Sequence, residues 1–236
     1  LVALLLTALT RAPGLPPSPG NWSLVNFQQA VSDNRFVSAL GHSLLLAVAA
    51  ATLLVLLGLA VSTIQRRRGG GVIAGALTLG FAVPGSVVAV AFLLTYGRWI
   101  GGSLLIILLA YIAKLGAVAH RPISGALQGL PEPLSLAARS SGAGGRETLR
   151  TIIAPIVAPA LAVAWVLVFV VAFHEVTMSS LLYGPTSQTL AVLVLNVEQV
   201  GDVGTTAALA CALTVLVMVP ASALAGLFGR RTWRMS

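Results

Sequence analysis

Charged side chains are scarce in this chain. Only 8% of its 236 residues are Asp, Glu, Lys or Arg, whereas 57% are hydrophobic. A soluble domain of this length could not bury that much apolar surface in one core. The composition therefore excludes an ordinary soluble protein and predicts an all-α bundle of membrane-spanning helices.

Cysteine and histidine are too few for the chemistry that they usually carry. The one cysteine, Cys211, excludes an intramolecular disulfide. The three histidines are scattered, and the sequence has neither an HExxH pattern nor paired aspartates. We therefore expect no metal, no cofactor and no catalytic residue, which disfavours an integral-membrane enzyme.

A nucleic-acid-binding surface is also missing, although the formal net charge is +8. The chain has a single lysine, and its arginines stand between hydrophobic runs, not among aromatic residues. That distribution is typical of loop charges that set membrane topology. We expect no nucleic-acid partner.

Long apolar runs are abundant and predict five full membrane spans, since about 20 helical residues cross a bilayer. A shorter run at residues 1–9 indicates the outer end of a sixth helix whose beginning is missing. The five spans are residues 43–64, 72–96, 103–119, 152–173 and 205–228.

Pro84 and Gly85 interrupt the second predicted span and predict a kink near mid-membrane. Freed carbonyl groups at such a kink can line a solute path or hinge a gate, and a simple packing kink is equally open. Two long polar loops, residues 11–36 and 174–204, are predicted outside the spans. The first should carry a short amphipathic helix near residues 27–31.

The basic residues are distributed unevenly over the two predicted sides of the membrane. Eleven fall on one side and three, Arg11, Arg35 and Arg98, on the other. Because an excess of Lys and Arg marks the cytoplasmic side, residues 120–151 and the C-terminus are predicted to be cytoplasmic. The acids follow the opposite trend, with Asp33, Glu175, Glu198 and Asp202 on the outer side.

The predicted cytoplasmic loop contains "AARSSGAGGRETLRTIIAP", residues 137–155. It resembles the EAA motif of the permease subunits of binding-protein-dependent type I ABC importers: Glu-Ala-Ala, three residues, Gly, nine residues, Ile, one residue, Leu-Pro. Leu136 stands where the family has glutamate and Ala154 where it has leucine. The positions that match at the full spacing are Ala137, Ala138, Gly142, Ile152 and Pro155.

This resemblance implies a MetI-like core of about six transmembrane helices over residues 1–236, with a cytoplasmic coupling loop at about residues 121–151. The chain would then be a single transmembrane domain with an incomplete N-terminal helix, or the C-terminal half of a fused permease. In the family this loop forms a coupling helix that docks on the ATPase subunit. By likeness, the docking residues are Leu136, Ala137, Ala138, Arg139, Gly142, Arg146, Glu147, Ile152 and Pro155.

The same resemblance implies the partners. ABC ATPase subunits would bind on the cytoplasmic side, a solute-binding protein outside, and a second permease half, identical, related or fused, beside the chain. The whole would lie in a bacterial cell membrane as a multi-pass protein.

The segment "FVVAFHEVTMSSLLYGP", residues 169–185, followed by "TLAVLVLN" at residues 189–196, resembles the ferric-iron subgroup of these permeases. We therefore expect ferric iron as the cargo, with thiamine, polyamines and phosphonates as alternatives. His174 and Glu175 would lie at the outer mouth and join Pro84 and Gly85 as candidates for the path or gate. An interfacial role for this His-Glu pair, without contact to cargo, is equally open.

An ion-coupled secondary transporter is the alternative from another class. Such proteins bind coupling ions through ionisable groups inside their spans. Here only Lys114 lies inside a predicted span, and we expect it near the cytoplasmic end, where it can reach the interface.

Replacing Gly142 with leucine tests the docking interpretation. A bulky side chain would keep the loop out of the cleft of the ATPase, so co-purification of the ATPase with the tagged chain should fall at least about tenfold, which is about 1.4 kcal/mol of binding free energy. Gly144→Leu, two residues away at a position that the motif leaves unspecified, is the control. Equal retention of the ATPase by both variants would contradict the interpretation.

Overall fold

The computed structural model describes residues 2–12, 14–16, 18–68, 71–130, 144, 147, 150–151 and 154–232. Over this part of the chain it contains ten α-helices and no β-strand, which confirms the predicted all-α fold. In chain order they are α1 Val2–Leu9, α2 Val25–Ser32, α3 Asn34–Arg68, α4 Gly71–Ala82, α5 Gly85–Ile100, α6 Leu104–Gln128, α7 Ala154–Phe173, α8 Ser179–Leu182, α9 Leu190–Gln199 and α10 Val203–Thr232.

The centre of the bundle is formed by α3, α6 and α7, each of which packs against the other two. Small residues on α3 recur at helical spacing and are fully buried, which lets the neighbouring backbones approach closely. At Gly58, an added Cβ atom would lie only 3.4 Å from backbone carbon atoms of α6. The buried small residues of this face are Ala47, Ala50 and Ala51.

The other helices flank this centre on two sides. On one side, α4 and α5 both pack on α6. On the other, α1 and α2 pack on α10, and α9 lies between α3 and α10. The bundle therefore has a compact centre with α4 and α5 attached mainly through α6.

Three helices of the described chain are long and apolar enough to cross a membrane. They confirm three predicted spans, but two of them are longer than expected. Helix α3 begins at Asn34. Helix α6 continues to Gln128, and its buried face continues with it through His120, Ile123 and Leu127. Residues 120–128 are therefore helical and do not belong to the loop.

The second predicted span is not a single kinked helix. Helices α4 and α5 meet at 103° across Val83 and Pro84, so they form a broken span or a re-entrant loop. Counted as one span, this pair raises the number of spanning segments in the described chain to four. The last predicted span lies in α10, which continues without a break at Pro220.

Hydrogen bonds between side chains add to the packing of the central helices. In apolar surroundings such groups need partners, because water cannot provide them. Ser62 Oγ on α3 lies 2.9 Å from His120 Nδ1 on α6, and both residues are buried. Trp165 Nε1 on α7 donates to Thr52 Oγ1 on α3 at 3.2 Å.

Two glycines, Gly102 and Gly184, allow segments that are far apart in the sequence to approach closely. Gly102 follows α5 and has a positive φ of 69°, a conformation that glycine adopts without strain. A Cβ atom at Gly184 would lie 2.6 Å from the Gly102 carbonyl oxygen and 2.8 Å from its Cα. Ser187 Oγ closes the contact by donating to the same carbonyl at 2.8 Å.

Gly184→Ala should therefore destabilise the fold. The added methyl group meets backbone atoms that cannot rotate away, so we expect the free energy of unfolding to fall by about 1–3 kcal/mol. Reversible unfolding in mixed detergent micelles measures this change. The control is Gly41→Ala in α3, where an added Cβ meets nothing within 4 Å. An equally mild effect of the two substitutions would contradict the close approach.

Candidate functional site

Most of the predicted docking residues lie outside the described part of the chain, so their role stays a prediction. Glu147 and Pro155 are described and exposed. The carbonyl oxygen of Glu147 accepts a hydrogen bond from Thr151 Oγ1 at 2.6 Å, and Pro155 lies in the first turn of α7. The docking residues outside the described chain are Leu136, Ala137, Ala138, Arg139, Gly142, Arg146 and Ile152.

The break between α4 and α5 is the most distinctive feature of the described bundle. A residue before proline is disfavoured in the helical conformation, so α4 ends ahead of Val83. Pro84 has φ −55° and ψ 139° and stands at the N-cap of α5. The Val87 N–H, which would serve the Val83 carbonyl in a continuous helix, donates to the Pro84 carbonyl at 3.1 Å. The carbonyl groups at the end of α4 therefore need other donors.

Lys114 of α6 provides these donors. Its ammonium group donates to the carbonyl oxygens of Phe81 at 3.1 Å and Val83 at 2.5 Å, and lies 5.4 Å from the centroid of the Phe81 ring. Near the same point, an added Cβ at Gly80 would lie 2.9 Å from the Ala113 carbonyl oxygen, so the backbones of α4 and α6 almost touch. The end of α4 is thus attached directly to the middle of α6.

Lys114 lies near the middle of α6 and not near either end of the helix. Helix α6 runs from Leu104 to Gln128, and Lys114 is about 15 Å along its length of about 37 Å. Its ammonium group finds its partners at the break, on the carbonyl oxygens of Phe81 and Val83.

The turn that follows α7 forms the other wall of the break. An added Cβ at Gly85 would lie 3.4 Å from Met178 Cγ and 3.7 Å from both Thr177 Cβ and Lys114 Cε. Because Gly85 has no side chain, the start of α5 can approach both the stem of Lys114 and the turn that follows α7.

Glu175 holds this turn in place. Its carboxylate accepts hydrogen bonds from the backbone N–H groups of Met178 at 2.9 Å and Ser179 at 3.1 Å, which lie at the start of α8. The Ser179 hydroxyl lies 2.7 Å from both the Glu175 carbonyl oxygen and the hydroxyl of buried Tyr111 on α6. Glu175 thus acts as a helix cap, and its turn is linked to α6 beside Lys114.

His174 does not take part in this arrangement. It is exposed, and its Nδ1 atom lies 3.2 Å from the carbonyl oxygen of Val170, one turn earlier in α7. The structure therefore brings Pro84, Gly85 and the turn of Glu175 together, while His174 lies apart from that cluster.

Lys114, Tyr111 and Ser179 were missed by reasoning from the sequence. Lys114 carried a signal, because it is the only lysine of the chain and an ionisable residue inside a span is usually functional. Tyr111 and Ser179 carried none, since their hydrogen bond joins residues 68 positions apart.

Two of the outer acids have structural partners. Asp33 pairs with Arg35 at 2.8 Å, and this hydrogen-bonded guanidinium lowers the pKa of the Asp33 carboxyl below its ordinary value. Asp202 accepts from the Thr205 backbone N–H at 3.0 Å and caps α10. Both acids line an open cavity of about 360 Å³, which also contacts Asn196. Within the described chain, no three His, Cys, Asp or Glu residues are grouped to hold a metal ion.

Comparison with known proteins identifies the family of this chain. Residues 54–234 match the family described as "Binding-protein-dependent transport system inner membrane component". The spermidine/putrescine transport system permease protein PotC of Escherichia coli strain K12 is 32% identical over 206 residues, which cover 82% of this chain and 76% of PotC. The putrescine transport system permease protein PotI of the same strain is 27% identical over 191 residues, which cover 76% of this chain and 68% of PotI.

Solved structures agree in fold. A bacterial ABC transporter involved in the import of the acidic polysaccharide alginate matches with a TM-score of 0.74 at 16% identity, over 97% of this chain and 88% of that one. The inward-facing MetNI methionine ABC transporter matches with a TM-score of 0.61 at 19% identity, over 81% and 93%. Sequence and fold together show that the chain belongs to the family of binding-protein-dependent transport system inner membrane components, the permease subunits of ABC importers.

Proposed function

We propose that this permease serves an importer of small aliphatic polyamines, such as putrescine or spermidine. The observation that carries the proposal is the 32% identity to a spermidine/putrescine permease over 82% of the chain. Ferric iron, expected from the segment at residues 169–185, finds no support in PotC and PotI, whose names specify polyamines. Polyamines were among the expected alternatives.

The partners follow from the family and are part of the proposal. The family name itself specifies a binding protein, and one solved relative is a complex with a periplasmic protein that carries an alginate pentasaccharide. We propose a solute-binding protein outside, ATPase subunits on the cytoplasmic loop at residues 137–155, and a second permease half. ATP would be hydrolysed by the ATPase subunits and not by this chain. The assembly would lie in a bacterial inner membrane.

The cargo path is proposed to run along the break at Pro84 and Gly85. Helices α4 and α5 expose large apolar side chains on the chain by itself, for example Leu94 at 81% and Trp99 at 67%. Such a surface needs lipid or a second permease half to cover it. The break adds polar backbone to this surface, which is tolerated in a membrane only where it is buried in protein or lines a water-filled cavity.

Glu175 and His174 receive different proposed roles. Because the Glu175 carboxylate is occupied by the N–H groups of α8, we propose that it positions the wall of the path and does not bind cargo. For the exposed His174 we propose the interfacial role at the outer end of α7.

The positions of the acidic residues disfavour a secondary transporter. None of the candidate spans of the described chain contains an Asp or Glu that could bind a coupling ion. Lys114, the ionisable group at the break, is already bound to backbone carbonyls.

Uptake into proteoliposomes tests the proposal. The permease is reconstituted with its ATPase subunits, second half and binding protein, and uptake of radiolabelled putrescine is followed with ATP inside. We expect uptake that stops with a non-hydrolysable ATP analogue and that excess spermidine inhibits at least about tenfold. Uptake driven by a proton or sodium gradient without ATP would contradict the ABC mechanism. ATP-driven uptake of ferric iron without uptake of putrescine would restore iron as the cargo.

A further inference from the structure

The group that closes the helix break is a primary ammonium ion on a flexible stem. Lys114 places three N–H donors and no acceptor at a point where carbonyl oxygens lack partners. It is also the only lysine of the chain, so no other side chain of this sequence can supply the same group.

The surroundings of this ammonium group form a small binding site. It has two carbonyl oxygens, those of Phe81 and Val83, and one aromatic face, that of Phe81. Carbonyl oxygens accept from ammonium N–H groups, and an aromatic face attracts a cation. The carboxylate of Glu175, in the adjoining turn, accepts hydrogen bonds from the backbone N–H groups of Met178 and Ser179. The site therefore selects a primary ammonium by hydrogen bonding and not by a fixed negative charge.

The site is open on one side. Phe81 is 42% exposed and Val83 is 37% exposed. Gly85 has no side chain, and an added Cβ would lie at an ordinary contact distance of 3.7 Å from Lys114 Cε, so the start of α5 does not clamp the lysine stem.

We propose that the carbonyl oxygens of Phe81 and Val83, with the ring of Phe81, form a primary-ammonium site that Lys114 fills in the cargo-free chain and yields to a terminal ammonium of the cargo. This inference rests on the proposed polyamine function. The exchange replaces one ammonium by another, so the broken helix end stays satisfied throughout. The displaced Lys114 stays within reach and competes for the site again, which favours release of the cargo. Passage through a membrane requires binding of this weak, reversible kind.

Equilibrium binding measures the exchange. The permease complex without its binding protein is placed in phospholipid nanodiscs, and binding of radiolabelled putrescine is compared between the natural chain and Lys114→Met. Removal of a tethered competitor with a millimolar effective concentration should increase putrescine affinity at least about tenfold. Lys114→Arg keeps the donors and should show no such gain.

A ligand matched to putrescine in length and charge distinguishes hydrogen bonding at the two carbonyl oxygens from general electrostatic attraction of cations. Hexamethyl-1,4-butanediammonium has the chain length and charge of putrescine but no N–H donor. Its affinity should rise much less than that of putrescine in Lys114→Met, because the ring of Phe81 attracts it but the two carbonyl oxygens cannot accept a hydrogen bond from it. Phe81→Leu in the Lys114→Met background should lower putrescine affinity again. An equal gain for both ligands, or no gain for putrescine, would overturn the proposal.

A measurement on the natural chain covers the case in which Lys114→Met fails to fold. The single lysine gives one side-chain ¹⁵N signal in solid-state NMR when only this chain is labelled. Dipolar dephasing of that signal by ¹³C-carbonyl valine and phenylalanine should be present without cargo and decrease when putrescine is added. Dephasing that putrescine leaves unchanged would show that Lys114 is a fixed helix cap and would overturn the exchange.

The outcomes also separate this inference from the proposed function. ATP-driven putrescine uptake by the natural complex, combined with unchanged Lys114 dephasing, refutes the exchange alone. Absence of putrescine uptake refutes the polyamine function, whatever the behaviour of Lys114.

Discussion

The structure depends on one constraint, that backbone carbonyl groups inside a membrane need hydrogen-bond donors. Pro84 ends α4 and turns the chain through 103° before α5 begins. The carbonyls of Phe81 and Val83 are then left without the usual helical donors, and Lys114 satisfies both. In hydrocarbon each unsatisfied group would cost several kcal/mol, so this one side chain makes the break tolerable. These hydrogen bonds from Lys114 also hold the end of α4 against α6.

The rest of the bundle divides into a tightly packed part and an attached part. The buried alanines of α3 bring α3, α6 and α7 close together, and Ser62–His120 and Thr52–Trp165 hydrogen bonds join these helices. Helices α4 and α5 contact this centre chiefly through α6 and bury few of their own side chains. The break lies within the attached part, and Lys114 of α6 joins it to the centre of the bundle.

The sequence was sufficient for features that depend on composition and local chemistry. Scarcity of charge predicted the membrane class, and the apolar runs predicted the spans now seen in α3, α6 and α7. Pro84 predicted an interruption because proline acts on its immediate neighbours. The motif at residues 137–155 predicted the family that the comparisons show.

Features that depend on distant residues could not be predicted. The angle between α4 and α5 is set by packing of Gly80 against Ala113 and of Gly85 against Met178, contacts that span more than 30 positions. The position of Lys114 along its helix depended on the true end of α6, where polar residues such as His120 are buried by partners on α3. The role of Glu175 required α8, whose four residues give no periodic signal.

The central claim is that the break between α4 and α5 faces an aqueous path and not lipid. A nitroxide spin label at Val83→Cys, with Cys211→Ala removing the only natural cysteine, tests it in the reconstituted importer. The account predicts that a water-soluble nickel relaxation agent reaches the label better than molecular oxygen does, and that this accessibility changes between the ATP-bound and nucleotide-free states. Greater accessibility to oxygen in both states, as for a label in lipid, would contradict the account.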